Sequence, residues 1–161
     1  MLPGVVLGPP RGGGCCAGST DVCSLGHGGW IVLEAEGNAI VDGPGADLVV
    51  FENPFWIGGD ETRPYVEPGR VSVSDDGVTW HAFDCAATAA PYMGCAGVSP
   101  VHANGDTGGA DPLDPTESGG DAFDLSTLGL QRARYVRVED VDTDSAVFDL
   151  DAIAIVNAEC P

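Results

Sequence analysis

The chain contains no lysine. Six arginines face 25 aspartates and glutamates, and the formal net charge over 161 residues is -19. Such an excess of negative charge repels nucleic-acid phosphates and anionic lipid head groups, and it attracts cations. The composition therefore argues against nucleic acid and anionic lipid as partners and favours cations. A solvated acidic shell and adaptation to salt are the alternatives to a metal site.

Long apolar runs are missing as well. No stretch of about 18 apolar residues is present, so the sequence predicts no membrane span. The first residues, MLPGVVLGPPR, lack the apolar core of a secretory signal peptide. We therefore expect either that a signal has been removed or that export uses another route.

Cysteine pairs with the C-x-x-C spacing of zinc and redox motifs are absent. The six cysteines are Cys15, Cys16, Cys23, Cys85, Cys95 and Cys160. An even number without metal spacing predicts disulfides and an oxidising compartment. We expect Cys85 to pair with Cys95 across one loop, and Cys160 to pair with one of the three N-terminal cysteines, without a basis for choosing which.

No convincing amphipathic helix is present, whereas 24 glycines and 12 prolines indicate many turns. Residues 1–20 are predicted to be an extended Gly/Pro-rich segment, and residues 21–161 a single β-sandwich domain. The predicted strands are Trp30–Glu34, Ala46–Glu52, Arg70–Ser74, Ala133–Val138 and Phe148–Asn157. The Asp-Gly after Arg70–Ser74 predicts a tight hairpin. Of the strand aromatics, we expect Trp30, Phe51 and Trp80 to lie in the core.

The hairpin sequence VSVSDDGVTW, followed later by ARYVRV, resembles discoidin-like, galactose-binding-like jelly rolls. The segments IVDGPGADLVVFENPF, GGDAFDL and FDLDAIAIVN extend the resemblance, which covers about Val6 to Asn157, to a group of bacterial secreted or cell-surface proteins. It implies an all-β jelly-roll sandwich in an extracellular setting. Jelly rolls of this kind often carry a structural calcium ion, so the resemblance also favours a metal site.

Aspartates recur inside the most strand-like segments, and an inward-facing carboxylate is costly unless it is paired or binds a metal. In FDLD, Asp149 and Asp151 are predicted to share one face, roughly 7 Å apart. Ca²⁺ takes six to eight oxygen ligands from such side chains. The predicted Ca²⁺ ligands are Asp42, Asp47, Glu52, Asn53, Asp121, Asp124, Asp149 and Asp151. The alternative is that Asp149 and Asp151 lie on the solvent-exposed face of an edge strand.

Loop aromatics indicate a ligand that stacks on rings. Sugars bind in this way and also take hydrogen bonds from polar side chains. The predicted ligand-binding residues are Trp56, Tyr65, Tyr92 and Arg134. The competing interpretation is that Trp56 folds inward, and that Arg134 pairs with a nearby carboxylate.

Together these features predict a calcium-stabilised extracellular or cell-surface recognition module that binds carbohydrate. Catalysis is not expected, because the histidines form no cluster and the GDTGG at 105–109 has no suitable His partner. The alternative is a structural subunit of an extracellular assembly or fibre, which self-associates through the N-terminal segment and its adjacent Cys15 and Cys16.

Overall fold

Antiparallel β-sheets make up the fold in the computed structural model, which describes residues 2–11, 18–141 and 146–159. The strands within these residues are β1 (Cys23–Ser24), β2 (Trp30–Glu34), β3 (Ala39–Val41), β4 (Leu48–Phe51), β5 (Gly69–Ser74), β6 (His81–Ala82), β7 (Asp121–Phe123), β8 (Arg132–Ala133), β9 (Tyr135–Asp140), β10 (Asp149–Leu150), β11 (Ala152–Ile155) and β12 (Ala158–Glu159). The helices are single short 3-10 turns at Gly4–Val6, Ile57–Gly59 and Leu125–Leu128. None of the described helices is long and apolar enough to cross a membrane.

The strands form one four-stranded sheet in the order β2-β9-β5-β6 and two three-stranded sheets, β11-β4-β7 and β12-β3-β8. Strands β1 and β10 pair separately. Alternate residues of β5 and β9, such as Val71 and Val138, share one apolar core with Leu48 and Val50 of β4. Sheets that bury their facing sides in a common core are consistent with the predicted β-sandwich.

Strand β4 is buried on both faces, which is unusual for an antiparallel sheet. Its residues Val49 and Phe51 point away from the main core and pack with Val101 in a second apolar cluster. Val101 belongs to the long connection between β6 and β7, so this connection covers the outer face of β4. Asp47 and Glu52, the residues on either side of β4, are consequently buried.

The hairpin predicted from Asp75-Asp76-Gly77 is confirmed in its pairing, with Val73 opposite His81 in the register of β5 and β6. It is not tight, because residues 74–80 lie between this pair. Gly77 takes a positive φ of 72°, as the turn requires. Asp76 closes the turn by accepting hydrogen bonds from the backbone N–H groups of Val78 and Thr79 at 2.8 and 2.7 Å.

Two expectations about strands are wrong. The segment 148–157 is not one strand, because the chain leaves β10 at Asp151 and joins another sheet as β11. Trp30 is not a core residue, since 59% of it is exposed, and Trp80 is only partly buried. Ile31 and Leu33 are the β2 side chains that pack against the core. Phe51 is fully buried, as expected.

Candidate metal centre

Two groups of carboxylates lie at opposite ends of β4. Asp47 directly precedes the strand and Glu52 directly follows it, and both are buried. Asp47 meets Asp42 and Asp124, whereas Glu52 meets Glu67 and Asp149. Because four strand residues separate Asp47 from Glu52, the groups lie roughly 16 Å apart, too far to share one ion. Five of the eight predicted ligands thus fall into two clusters, each able to hold a metal ion.

The Glu52–Glu67–Asp149 centre forms where three chain segments converge. The Asp151 N–H donates to the Phe51 carbonyl at 3.0 Å, which fixes β10 beside the end of β4. The Glu67 N–H donates to the Gly97 carbonyl at 3.1 Å, which positions the approach to β5. One carboxylate oxygen from each of the three residues lies within 4.8 Å of the other two.

Each glutamate of the centre already has one hydrogen bond from the backbone of the 147–149 segment. The Val147 N–H donates to Glu67 Oε1 at 3.2 Å, and the Asp149 N–H donates to Glu52 Oε1 at 3.3 Å. Phe148 lies between them and is fully buried in the core. The alternation of a strand therefore directs two N–H groups to the centre while the intervening ring anchors the segment.

Two oxygens of the centre are left without donors. Glu52 Oε2 and Asp149 Oδ1 are both inaccessible to solvent and have no hydrogen-bond donor among the described residues. Glu52 as a whole is only 1% exposed. A buried polar atom without a partner costs about 1–3 kcal/mol, and more when it is charged. An additional positively charged group at this point would remove that cost.

The electrostatics of the centre also demand a cation or a proton. Among the described residues, no arginine forms an ion pair with any of the three carboxylates. Burial, reinforced by the charges of Glu67 and Asp149, raises the pKa of Glu52 to about 10. Burial also raises the pKa of Glu67. The field of Glu67 raises the pKa of the neighbouring Tyr65 phenol.

The oxygen geometry suits a hard divalent ion. Ca²⁺ binds oxygens at about 2.4 Å, so oxygens on opposite sides of one ion are about 4.8 Å apart. The three carboxylates satisfy this limit. An ion there would receive at least one oxygen from each residue and would neutralise most of their charge. The all-oxygen donor set favours Ca²⁺ or Mg²⁺ over softer transition metals.

The Asp42–Asp47–Asp124 cluster differs because its carboxylates have donors. Asp47 accepts from the backbone N–H of Gly43 and of Leu125 and from Asn157 Nδ2, at 2.8–2.9 Å. The Asp124 side chain accepts from Ser126 N–H and caps the short helix at Leu125. Gln131 Nε2 donates to Asp42 at 2.8 Å. These bonds explain the cluster as a set of loop anchors.

The other three predicted ligands are directed elsewhere. Asp121 Oδ2 accepts from Val98 N–H at 2.9 Å, although burial still raises its pKa. Asp151 Oδ2 accepts from Arg11 N–H at 2.7 Å. Asn53 exchanges two hydrogen bonds with the backbone of Ser19, at 2.5 and 2.8 Å. Each of these side chains holds a loop or the N-terminal segment against the domain.

The predicted sugar-binding residues are dispersed. The ring of Trp56 lies 5.7 Å from that of His102, and Tyr65 stacks on Phe55 at 5.1 Å. Tyr92 lies inside the disulfide loop, and Arg134 pairs with Glu34 at 3.1 Å. None of these contacts, among the described residues, joins one of the four predicted residues to another.

The disulfide between Cys85 and Cys95 is confirmed. Cys23, which is half-buried next to Asp149 in the β1–β10 pair, has a free thiol in the described part of the chain. Burial and the Asp149 charge raise the pKa of this thiol. The predicted roles of Cys15, Cys16 and Cys160 fall outside the described residues.

Glu67 is the member of the centre that sequence reasoning missed. It stands in YVEPGR, where Glu-Pro-Gly predicts a turn, and no alternation marks it as buried. Yet it is only 8% exposed. Its position two residues before β5 is a signal that the sequence offers, but its partners become visible only in the folded chain.

No family model, curated protein or solved structure matches this chain.

Proposed function

We propose that this protein is a calcium-stabilised, non-catalytic recognition module of the extracellular or cell-surface environment, and that its ligand is a carbohydrate. The observation that carries the proposal is the pair of buried, donorless oxygens, Glu52 Oε2 and Asp149 Oδ1, inside a cluster of three carboxylates. Bound Ca²⁺ would tie the end of β4 to the approach to β5 and to β10.

The buried position favours a structural ion over a catalytic one. Glu52 and Glu67 are 1% and 8% exposed, so a substrate would have little access to an ion held between them. The Cys85–Cys95 disulfide supports an oxidising environment outside the cytoplasm. Exposed aromatic rings support the carbohydrate ligand, because sugar rings stack on such surfaces; Trp30 is 59% and Tyr65 is 36% exposed.

Calorimetric titration with CaCl₂ tests the metal part. We expect one Ca²⁺ per chain in the wild type, and at least tenfold weaker binding in Glu52→Gln and Asp149→Asn, which remove one charge each without a change of shape. The matched control is Asp124→Asn, which alters the other cluster and keeps a side chain that can cap a helix. Equal Ca²⁺ affinity in Glu52→Gln and wild type would contradict the assignment.

A glycan array tests the recognition part. The Ca²⁺-loaded protein should bind a subset of the glycans, and chelation should weaken binding only as far as it unfolds the protein. If a folded, Ca²⁺-loaded sample binds no glycan on the array, carbohydrate recognition is contradicted. The result for the metal is unaffected.

A further inference from the structure

One face of the β2-β9-β5-β6 sheet is turned to solvent and carries aromatic side chains. Since Val136 and Val138 point into the core, their neighbours Tyr135 and Arg137 point outward. On β2, Trp30 and Val32 share that outward face. The hairpin turn adds Trp80 at one side. We call this surface the aromatic face, lined by Trp30, Val32, Asp76, Gly77, Trp80, Tyr135 and Arg137.

The aromatic face is a shallow depression of about 460 Å³. The Arg137 guanidinium lies 4.9 Å from the centre of the Trp30 ring and also donates to Glu139 at 2.7 Å. These two contacts hold the arginine and the tryptophan in place before any ligand arrives. Arg137 Nε is inaccessible to solvent and has no acceptor among the described residues. The Arg137 side chain as a whole is 31% exposed, so a ligand on the face can still contact it.

The charge of this face differs from that of the whole molecule. Three of the six arginines, Arg70, Arg134 and Arg137, lie on it or at its edge, together with three acids: Glu34, Asp76 and Glu139. Three positive and three negative groups balance locally, whereas the chain as a whole carries -19. An anionic ligand would approach against the field of the whole molecule, and a cationic one would gain nothing at the face.

We propose that the aromatic face is the carbohydrate-binding site, and that its ligand is a neutral glycan whose pyranose ring stacks on Trp30. A neutral sugar has the two properties that this face matches: one apolar ring face for the indole, and hydroxyl groups for Arg137 and Asp76. This inference rests on the proposed carbohydrate recognition. It moves the site from the predicted loop residues to the open side of the sheet.

Affinity electrophoresis in gels that contain a soluble neutral polysaccharide tests the site. A panel of glucan, galactan, mannan and xylan serves as the probe, and polygalacturonate serves as the anionic comparison. Trp30→Ala should weaken binding to the retarding neutral polymer at least about tenfold, as loss of an aromatic anchor does. Trp30→Phe should retain part of the affinity, and Arg137→Ala should lose most of it.

Control variants come from elsewhere on the molecule. Leu113→Ala removes a comparably exposed apolar side chain (53%) from a loop, and Met93→Ala removes another (69%) from the disulfide loop. Both should bind like wild type. Because Trp30 is mostly exposed, its replacement should leave the melting temperature nearly unchanged, which separates loss of the site from loss of the fold.

The results discriminate among the alternatives. Neutral-glycan binding that survives Trp30→Ala would overturn the site and leave carbohydrate recognition standing. Absence of binding to any neutral polymer would overturn both, whereas the Ca²⁺ titration judges the metal centre independently. A dimer that dissociates on Trp30→Ala, seen by sedimentation, would show instead that a second copy covers this face.

Discussion

The buried carboxyl of Glu52 makes stability depend on pH in opposite ways with and without Ca²⁺. In the metal-free protein its pKa of about 10 exceeds the ordinary value of 4.5. The folded state therefore keeps a proton that the unfolded chain releases. This contribution to stability is complete below about pH 4.5, and it is lost as the pH rises towards 10.

The size of the effect follows from one pKa unit being worth 1.36 kcal/mol. Between pH 4.5 and pH 8 the metal-free protein should lose on the order of 4 kcal/mol of unfolding free energy through Glu52 alone. Ca²⁺ binds the ionised carboxylate and opposes this loss. At 100 times its dissociation constant it should add about 2.7 kcal/mol, which for a chain of this size raises the melting temperature by roughly 5–11 °C.

The assay is urea unfolding at pH 5 and pH 8, each with excess CaCl₂ and with chelator. Glu52→Gln isolates the effect from the other acids, because glutamine has the same shape and no charge to bury. At pH 8 with chelator, Glu52→Gln should be more stable than wild type. With CaCl₂ the difference in unfolding free energy between Glu52→Gln and wild type should become smaller or change sign. Binding at pH 8 should also release about one proton, measured by calorimetry in buffers of different ionisation enthalpy.

The control Asp124→Asn should follow wild type under all four conditions. The same pH dependence of wild type and Glu52→Gln in chelator, to within about 1 kcal/mol, would contradict a raised Glu52 pKa. Equal stabilisation of both proteins by CaCl₂ would also contradict the assignment, because the ion would then bind elsewhere.

Two further predictions concern the scaffold around the centre. Replacing both Cys85 and Cys95 by serine opens a loop with a sequence separation of 10, and should cost roughly 3 kcal/mol; an unchanged urea midpoint would contradict this. Gly97→Ala should destabilise the fold severely and weaken Ca²⁺ binding, because the new Cβ would lie 2.1 Å from the Glu67 carbonyl oxygen. Its control is Gly58→Ala, which has a similarly positive φ but open space around it and should cost only about 1–2 kcal/mol. Equal losses in the two alanine variants, measured by thermal melts and CaCl₂ titration, would exclude the steric explanation.

Local sequence patterns predicted local structure well. The Asp-Gly turn with alternating flanks predicted the β5–β6 hairpin, and the spacing of Cys85 and Cys95 predicted their disulfide. Each of these features is determined by residues close in sequence, so tertiary contacts had little opportunity to override them.

Alternation could not show which face of a strand packs against the core. In WIVLE, Trp30 and Val32 are as apolar as Ile31 and Leu33, so a period of two defines two faces but not their environments. The structure packs the partly buried Ile31 and Leu33 against the core and leaves Trp30 exposed. This ambiguity hides the aromatic face at the level of sequence, because an apolar strand pattern predicts a core position for the exposed Trp30.

The same limit applies to the acidic residues. Alternation placed Asp149 and Asp151 on one face, but the chain changes sheets at Asp151 and separates them. Glu67 enters the centre through contacts with residues more than 25 positions away in sequence, such as Gly97 and Val147. Acid-rich composition thus predicted a cation site, and only the fold shows which of the 25 acids lie close enough together to hold an ion.

Because the chain has no lysine, no ammonium group can neutralise the buried carboxylates of this centre. A carboxylate as buried as Glu52 must be neutralised, and in the folded protein a proton or a metal ion can do so. A proton succeeds only while the pH stays well below the raised pKa, and it satisfies one oxygen. A Ca²⁺ ion can contact all three carboxylates at once, and its binding strengthens as the pH rises and the competing proton is lost. A metal centre in place of an ion pair would therefore make folding depend on the calcium concentration of the surroundings.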